Sequence, residues 1–200
     1  MRLGLLADIH ERSDLLVHCI EALRTQTVDS FVVLGDVLND AQRIDETVDL
    51  LAALPSRGVW GNHDFGLCGQ PSPEVRTRFG KKVIDYFETL QPWLEIDGCR
   101  FQHIDPHLDP TDLLDLWMIP EPELQRAQSF SQTPHRRVVI GHVHRWSLIT
   151  PAGVAPWSGR DSVRLDRGER YLITVGAVED GYCAVFDTEL DEIVPISVRG

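Results

Sequence analysis

One arrangement recurs four times in this 200-residue chain and constrains its fold more than any other feature. A short apolar run is followed at once by a cluster of chemistry-bearing polar residues. Residues 2–7 lead into Asp8-Ile9-His10, residues 30–34 into Gly35-Asp36, residues 59–60 into Gly61-Asn62-His63-Asp64, and residues 137–140 into Gly141-His142-Val143-His144. Near-continuous apolar runs of this length read as strands buried on both faces, as in a largely parallel sheet. Polar residues just past such strands lie on the carboxyl edge, where open α/β sheets bind ligands. Asp8 and His10, like His142 and His144, are two residues apart, so in extended chain each pair points to one side.

The intervening segments supply the rest of an α/β fold. Leu15, Leu16, Cys19, Ile20 and Leu23 recur at helical spacing, and Ile44, Val48, Leu51 and Leu54 do so again before Pro55; both read as amphipathic helices packed on the sheet. Ser72-Pro73 reads as an N-cap with proline at the first helical position, opening a third helix that the apolar spacing carries to Pro92. Residues 93–97 and 99–103 pair as a hairpin across Gly98, with Cys99, Phe101 and His103 on one face of its second arm. From residue 147 onward the chain is β-rich and reads as a second sheet completing a sandwich. Residues 1–200 are expected to form one domain, with the proline-rich stretch 106–134 an insertion over the rim that carries short helices near 112–117 and 123–130. Core packing of that insertion is the favoured reading of Trp117 and Met118, over substrate contact.

Composition narrows the function. Nineteen Lys and Arg against 31 Asp and Glu give a formal charge of −12, and a net-negative chain repels polyanions, so extended nucleic-acid binding is not expected. The four cysteines form no Cys-x-x-Cys pair, which points to reduced thiols rather than a disulfide framework. No apolar run is long enough for a membrane span or a signal-peptide core, so no membrane association and a cytoplasmic location are expected.

The polar clusters suit metal-ion chemistry. Asp8, His10, Asp36, Asn62, His103, His142 and His144 are seven candidate ligands, too many for one ion but enough for two that share a carboxylate. Their neutral imidazoles and carboxylates favour manganese, iron, zinc or nickel, with manganese placed first, and the absence of Cys from every cluster argues against a structural zinc site. Two divalent ions can acidify a shared water and hold phosphoryl oxygens. His63 can protonate a leaving oxygen or stabilise developing charge, and Asp64 is expected to hold its other ring nitrogen. Asn39 and Asp40 read as a turn or as support for the site. His107 is the rival to His103.

In motif order, Asp8-Ile9-His10, Gly35-Asp36, Gly61-Asn62-His63-Asp64, His103 and Gly141-His142-Val143-His144 resemble the calcineurin-like metallophosphoesterase superfamily, and the compact size is similar to its small bacterial and archaeal phosphodiesterases. The resemblance implies an α-β-β-α sandwich, two stacked mixed β-sheets flanked by helices. It also implies that Asp8, His10 and His144 hold one divalent metal ion, that Asn62, His103 and His142 hold the other, that Asp36 bridges them, and that His63 is the catalytic acid. The expected activity is hydrolysis of a small phosphate ester, above all a phosphodiester, by a hydroxide shared between the metals. Two features depart from the family pattern. Ile104 stands where a glycine usually follows the histidine of the fourth motif, which narrows the pocket. Asn39-Asp40-Ala41 and Asp64 stand where the protein phosphatase branch carries Asp-Arg-Gly and Glu. The alternatives are a non-catalytic interaction scaffold and a protein phosphatase or nucleotide pyrophosphohydrolase; a homo-oligomer is compatible with all of them.

Overall fold

The computed structural model describes residues 1–119 and 129–199. Twelve strands form two six-stranded mixed sheets, so the fold is the expected α/β sandwich. In the first sheet β1 (Arg2–Leu6), β2 (Ser30–Leu34) and β3 (Ser56–Val59) run parallel. In the second, β4 (Trp93–Ile96) and β5 (Cys99–Gln102) form an antiparallel hairpin, and β6 (Arg137–Ile140) runs parallel to β5. Asp97 and Gly98 turn that hairpin, both at positive φ, as a tight two-residue hairpin loop requires.

Side-chain alternation divides the core. Leu3, Leu5 and Ala7 of the first strand face the other sheet and pack with Leu34, Phe101, Val139 and Phe186, all fully buried. Leu6 faces the opposite way, onto α1 (Ser13–Thr25) and α2 (Ile44–Ala52), beside Leu16, Val48 and Leu51. A one-residue slip of β1 would exchange these faces, so two apolar layers fix its register.

Two expectations are corrected. The helix starting at Ser72-Pro73 does not run to Pro92. Ser72 caps α3 (Pro73–Arg78) by accepting a hydrogen bond from Val75 N, but Phe79 is extended and α4 (Lys81–Phe87) begins after Gly80. Glycine is a poor interior helix residue, and the break lets Phe79, Val83 and Phe87 all bury. The C-terminal strands, moreover, do not share one sheet. β7 (Ser147–Thr150), β8 (Gly153–Val154) and β10 (Tyr171–Thr174) join the second sheet, whereas β9 (Val163–Arg164), β11 (Tyr182–Asp187) and β12 (Glu192–Ser197) extend the first through antiparallel pairing of β11 with β1. Both sheets therefore combine early and late strands. In the stretch 106–134 the structure shows α5 (Leu113–Leu116), capped by Asp112; most of the helix expected near 123–130 lies outside the described residues.

Candidate metal centre

The parallel strands β1, β2 and β3, and the pair β5 and β6, release their polar clusters at one edge of the sandwich. Within the second sheet Gly141 N donates to His103 O at 3.1 Å, within the first Asp8 N donates to Gly35 O at 3.1 Å, and His142 N joins the two by donating to the Asp8 carboxylate at 2.9 Å. Turning the side chains inward strains the backbone. Asp8, His10, Asp36, His142 and His144 all have positive φ, between 46° and 75°. Non-glycine residues in this region cost about 1–3 kcal/mol each and persist only where the surroundings enforce them, which is a mark of functional sites. Gly61 could be no other residue here. A Cβ on it would run into the Asp36 carboxylate. Gly35, at φ +89°, passes the His103 ring so closely that a Cβ would stand 2.7 Å from Nδ1.

All seven candidate ligands converge. Asp8, His10, Asp36 and His144 bring ligand atoms within 4.8 Å of one another, and so do Asp36, His103 and His142. Asp36 is common to both groups: its Oδ2 lies 3.7 Å from His10 Nε2 and 3.3 Å from His103 Nε2. Asn62 Oδ1 completes the second group, 3.0 Å from both His103 Nε2 and His142 Nδ1. In the first, His144 Nε2 is 3.2 Å from His10 Nε2 and 3.6 Å from Asp8 Oδ1. A nitrogen–oxygen donor set with one shared carboxylate fits two divalent ions.

The outward ring nitrogens are tied to acceptors. His103 Nδ1 donates to Leu34 O at 2.7 Å, His142 Nε2 to Met118 O at 3.1 Å, and His144 Nδ1 to Glu179 Oε1 at 2.9 Å. Each bond leaves the inward nitrogen to accept a cation, the usual arrangement behind a ligating histidine. Burial, followed by the charge of His103, lowers the His142 pKa to about 4, which keeps its ring neutral. Burial also acts to lower His103, but Asp36 and then Asp8 outweigh it and raise its pKa to about 9. His103 in turn holds the Asp36 carboxyl below the usual range against burial. Burial lifts Asp8 to about 7 despite the opposing charges of His103 and His144. Such a carboxyl is stabilised as its anion by a nearby cation.

His63 stands at the mouth. Its backbone N–H donates to Asp36 Oδ1 at 3.0 Å, and its ring meets His10 edge-on at 4.7 Å and Trp117 at 5.2 Å. The expectation that Asp64 orients this ring is not met. Asp64 is fully buried and turned the other way, accepting hydrogen bonds from the backbone N–H groups of Val37, Leu38 and Gly61. Three converging amides beneath the loop hold its carboxylate better than one imidazole at the mouth would. Burial and the Asp36 charge raise it to about 7, while the amides of Leu38 and Gly61 oppose the shift. His107 is outside the centre, with Nδ1 3.0 Å from Ser129 Oγ.

Glu179 is a site residue that no local pattern announced, since it reads as part of an ordinary turn. Glu11 is another: its buried carboxylate accepts from the N–H groups of Asn39, Ala41 and Arg43, fixing the loop that carries Asn39 to the cavity wall. The packing expected of Trp117 and Met118 is also corrected, for both side chains are exposed. The cavity above the ligands measures about 560 Å³ and is lined by His63, Asn39, Trp117, Ile119, Arg145 and Glu179 among others.

Comparison with known proteins agrees with this geometry. The family model for the calcineurin-like phosphoesterase superfamily domain matches residues 1–155. An uncharacterized protein of Methanocaldococcus jannaschii is 26% identical over 92% of this chain and 82% of its own length. A metallophosphoesterase structure from Sphaerobacter thermophilus superposes with a TM-score of 0.78 at 24% identity, covering 100% of this chain and 89% of that one. An archaeal phosphodiesterase gives 0.57 at 16% identity over 99% and 100% of the two chains. A phosphoesterase from E. coli gives 0.51 at 19% identity over 100% of both. At these identities the structural matches are likenesses of fold.

Proposed function

Because the chain belongs to the calcineurin-like phosphoesterase superfamily, we propose that it hydrolyses a small phosphodiester with two divalent metal ions, manganese first among them. Asp8, His10 and His144 would hold one ion, Asn62, His103 and His142 the other, and Asp36 would serve both. The observation that carries this reading is the place of Asp36 in both ligand groups. A carboxylate shared by two groups, each otherwise offering two imidazoles and one oxygen, suits a pair of ions better than either group suits one alone.

When bound, such a pair supplies an acidified water as nucleophile and positive charge for the phosphoryl oxygens. The protein's own residues do the rest. Asp36 also accepts the His63 N–H, which fixes the backbone of the acid relative to the ligands. His63 is half-buried, faces the cavity and donates a ring proton to the departing oxygen. Arg145 is the only Lys or Arg among the described residues lining the cavity and pairs with a phosphate oxygen. A volume of about 560 Å³ lies within the usual range for small-molecule sites, which favours a small ester over a protein substrate.

The test is hydrolysis of bis-p-nitrophenyl phosphate against p-nitrophenyl phosphate by metal-stripped protein refilled with Mn, Fe(II), Zn or Ni, beside Asp36→Asn. Metal-dependent turnover of the diester, lost in the variant, supports the proposal. Turnover of the monoester alone moves the activity to a phosphomonoesterase. Two bound ions without turnover of either ester would overturn the hydrolytic reading.

A further inference from the structure

Residues 117–119 hold three consecutive positions against the centre although they are remote from it in sequence. Trp117 lies 5.2 Å from the His63 ring at 43°, the Met118 carbonyl accepts from His142 Nε2, and Ile119 lines the cavity. The segment is fixed from below. Leu116 is fully buried with Ile104 and Leu108, and the backbone N–H groups of Trp117 and Met118 close onto Leu114 O and Asp115 O. Core packing does not explain the two cavity side chains, for Trp117 is 54% and Ile119 73% exposed. An anchored backbone thus presents a large indole and a branched aliphatic chain to solvent, beside the group that protonates the leaving oxygen.

We propose that Trp117 and Ile119 form a leaving-group subsite for a flat aromatic ring. The inference rests on the phosphoesterase reading and names its substrate class: a phosphodiester with at least one aryl or heteroaryl leaving group. The bond between phosphorus and the leaving oxygen breaks. A water oxygen bonds to phosphorus, the His63 ring proton passes to the departing oxygen, and the proton shed by the water restores His63 through solvent. The departing oxygen must come within hydrogen-bond reach of His63, so whatever it carries starts beside Trp117. An offset-stacked or edge-to-face ring contact there is favourable over a range of ring types, and Ile119 closes the apolar side. An alkyl group of similar bulk gains the burial without the ring contact.

The test separates this subsite from the hydrolytic reading. Phenylphosphonate, cyclohexylphosphonate and methylphosphonate, none of them hydrolysable, are titrated calorimetrically into the metal-loaded protein, its Trp117→Ala variant and its Trp117→Phe variant. Turnover of bis-p-nitrophenyl phosphate is followed in the same three proteins. The expected result is that phenylphosphonate binds the unmodified protein at least about tenfold more tightly than methylphosphonate and more tightly than cyclohexylphosphonate. That order should vanish in Trp117→Ala and return in Trp117→Phe. KM for the aryl diester should rise in Trp117→Ala more than kcat falls. Equal affinities in the unmodified protein, or an aromatic preference that survives Trp117→Ala, overturn the subsite even if the diester is turned over. Absence of turnover in all three proteins, with the aromatic preference present, overturns the hydrolytic reading and leaves the ring site standing.

Discussion

Glu179 Oε1 lies 2.9 Å from His144 Nδ1, on a single helical turn, Val178–Asp180, whose own backbone is bonded to the first strand's end: Val178 N donates to Ala7 O and Glu179 N to Asp8 O. One short turn therefore sets both the tautomer of a candidate ligand and the exit of the strand that delivers two more. On the proposed two-ion reading, Glu179→Ala should weaken metal binding at the group that includes His144 by roughly 10–100-fold, the range seen when such outer partners are removed. Glu179→Gln, which keeps an acceptor, should lose less. Calorimetric titration with manganese checks this, and unchanged affinity in the alanine variant would assign Glu179 to the turn alone.

His63 supplies no atom to either ligand group, so His63→Asn should retain both ions while kcat falls by about 10²–10⁴. The loss should be larger for esters with poorer leaving groups, since those depend most on protonation. Metal content by elemental analysis, measured beside kcat for esters of graded leaving-group acidity, separates an acid from a ligand. An equal loss for all esters would argue against the acid role.

Asp64 carries backbone rather than chemistry. Asp64→Ala leaves the buried N–H groups of Val37 and Gly61 and the part-buried one of Leu38 without their acceptor, and each buried orphaned donor costs about 1–3 kcal/mol. The expected loss is about 3 kcal/mol in urea unfolding of the metal-free protein. A variant of undiminished stability whose kcat alone collapses would restore Asp64 to the catalytic set.

Gly61→Ala should abolish the shared ligand position, because the added methyl group would occupy the space of the Asp36 carboxylate. Elemental analysis should find metal lost from both groups, in contrast to the one-site effect at Glu179. Full retention of both ions would mean that Asp36 has room to move.

The cysteines are buried and free; burial pushes the thiols of Cys68 and Cys99 well up, that of Cys99 to about 12, and a hydrogen bond with Cys19, followed by burial, raises that of Cys183. A thiol whose folded pKa exceeds its unfolded value favours the native state below the unfolded value and loses that contribution as pH rises through the folded one. For Cys99 the window runs from its ordinary 9.0 to about 12. Native protein should accordingly react slowly with a disulfide reagent at pH 7–9, with little acceleration across that range, and titrate four thiols once denatured. Fast reaction in the native state would show that one pocket opens.

The local features were legible in the chain. Strand β1 has alternate sides that are both apolar, so its run had to end at a sheet edge, but the extended geometry expected of the two-residue spacings does not hold: Asp8, His10, His142 and His144 all have positive φ, and His142 and His144 fall in different ligand groups. The candidate ligand motifs, the Ser72 cap and a hairpin across Gly98 follow from such short-range rules, although the hairpin turns on Asp97 as well as Gly98. What tertiary structure alone decided are relations between residues far apart in sequence. Glu179 reaches His144 and Trp117 reaches His63 only once the core has packed, and β11 pairs with β1 only because the late chain returns to the first sheet. Asp64 shows the same limit from the other direction. Its neighbour in sequence is His63, but the amides of Val37 and Leu38 join that of Gly61 around its carboxylate once β2 and β3 are side by side. A sequence specifies periodicity and local turn chemistry directly; which buried carboxylate meets which donor depends on the closure of long loops, and that is settled only when the core packs.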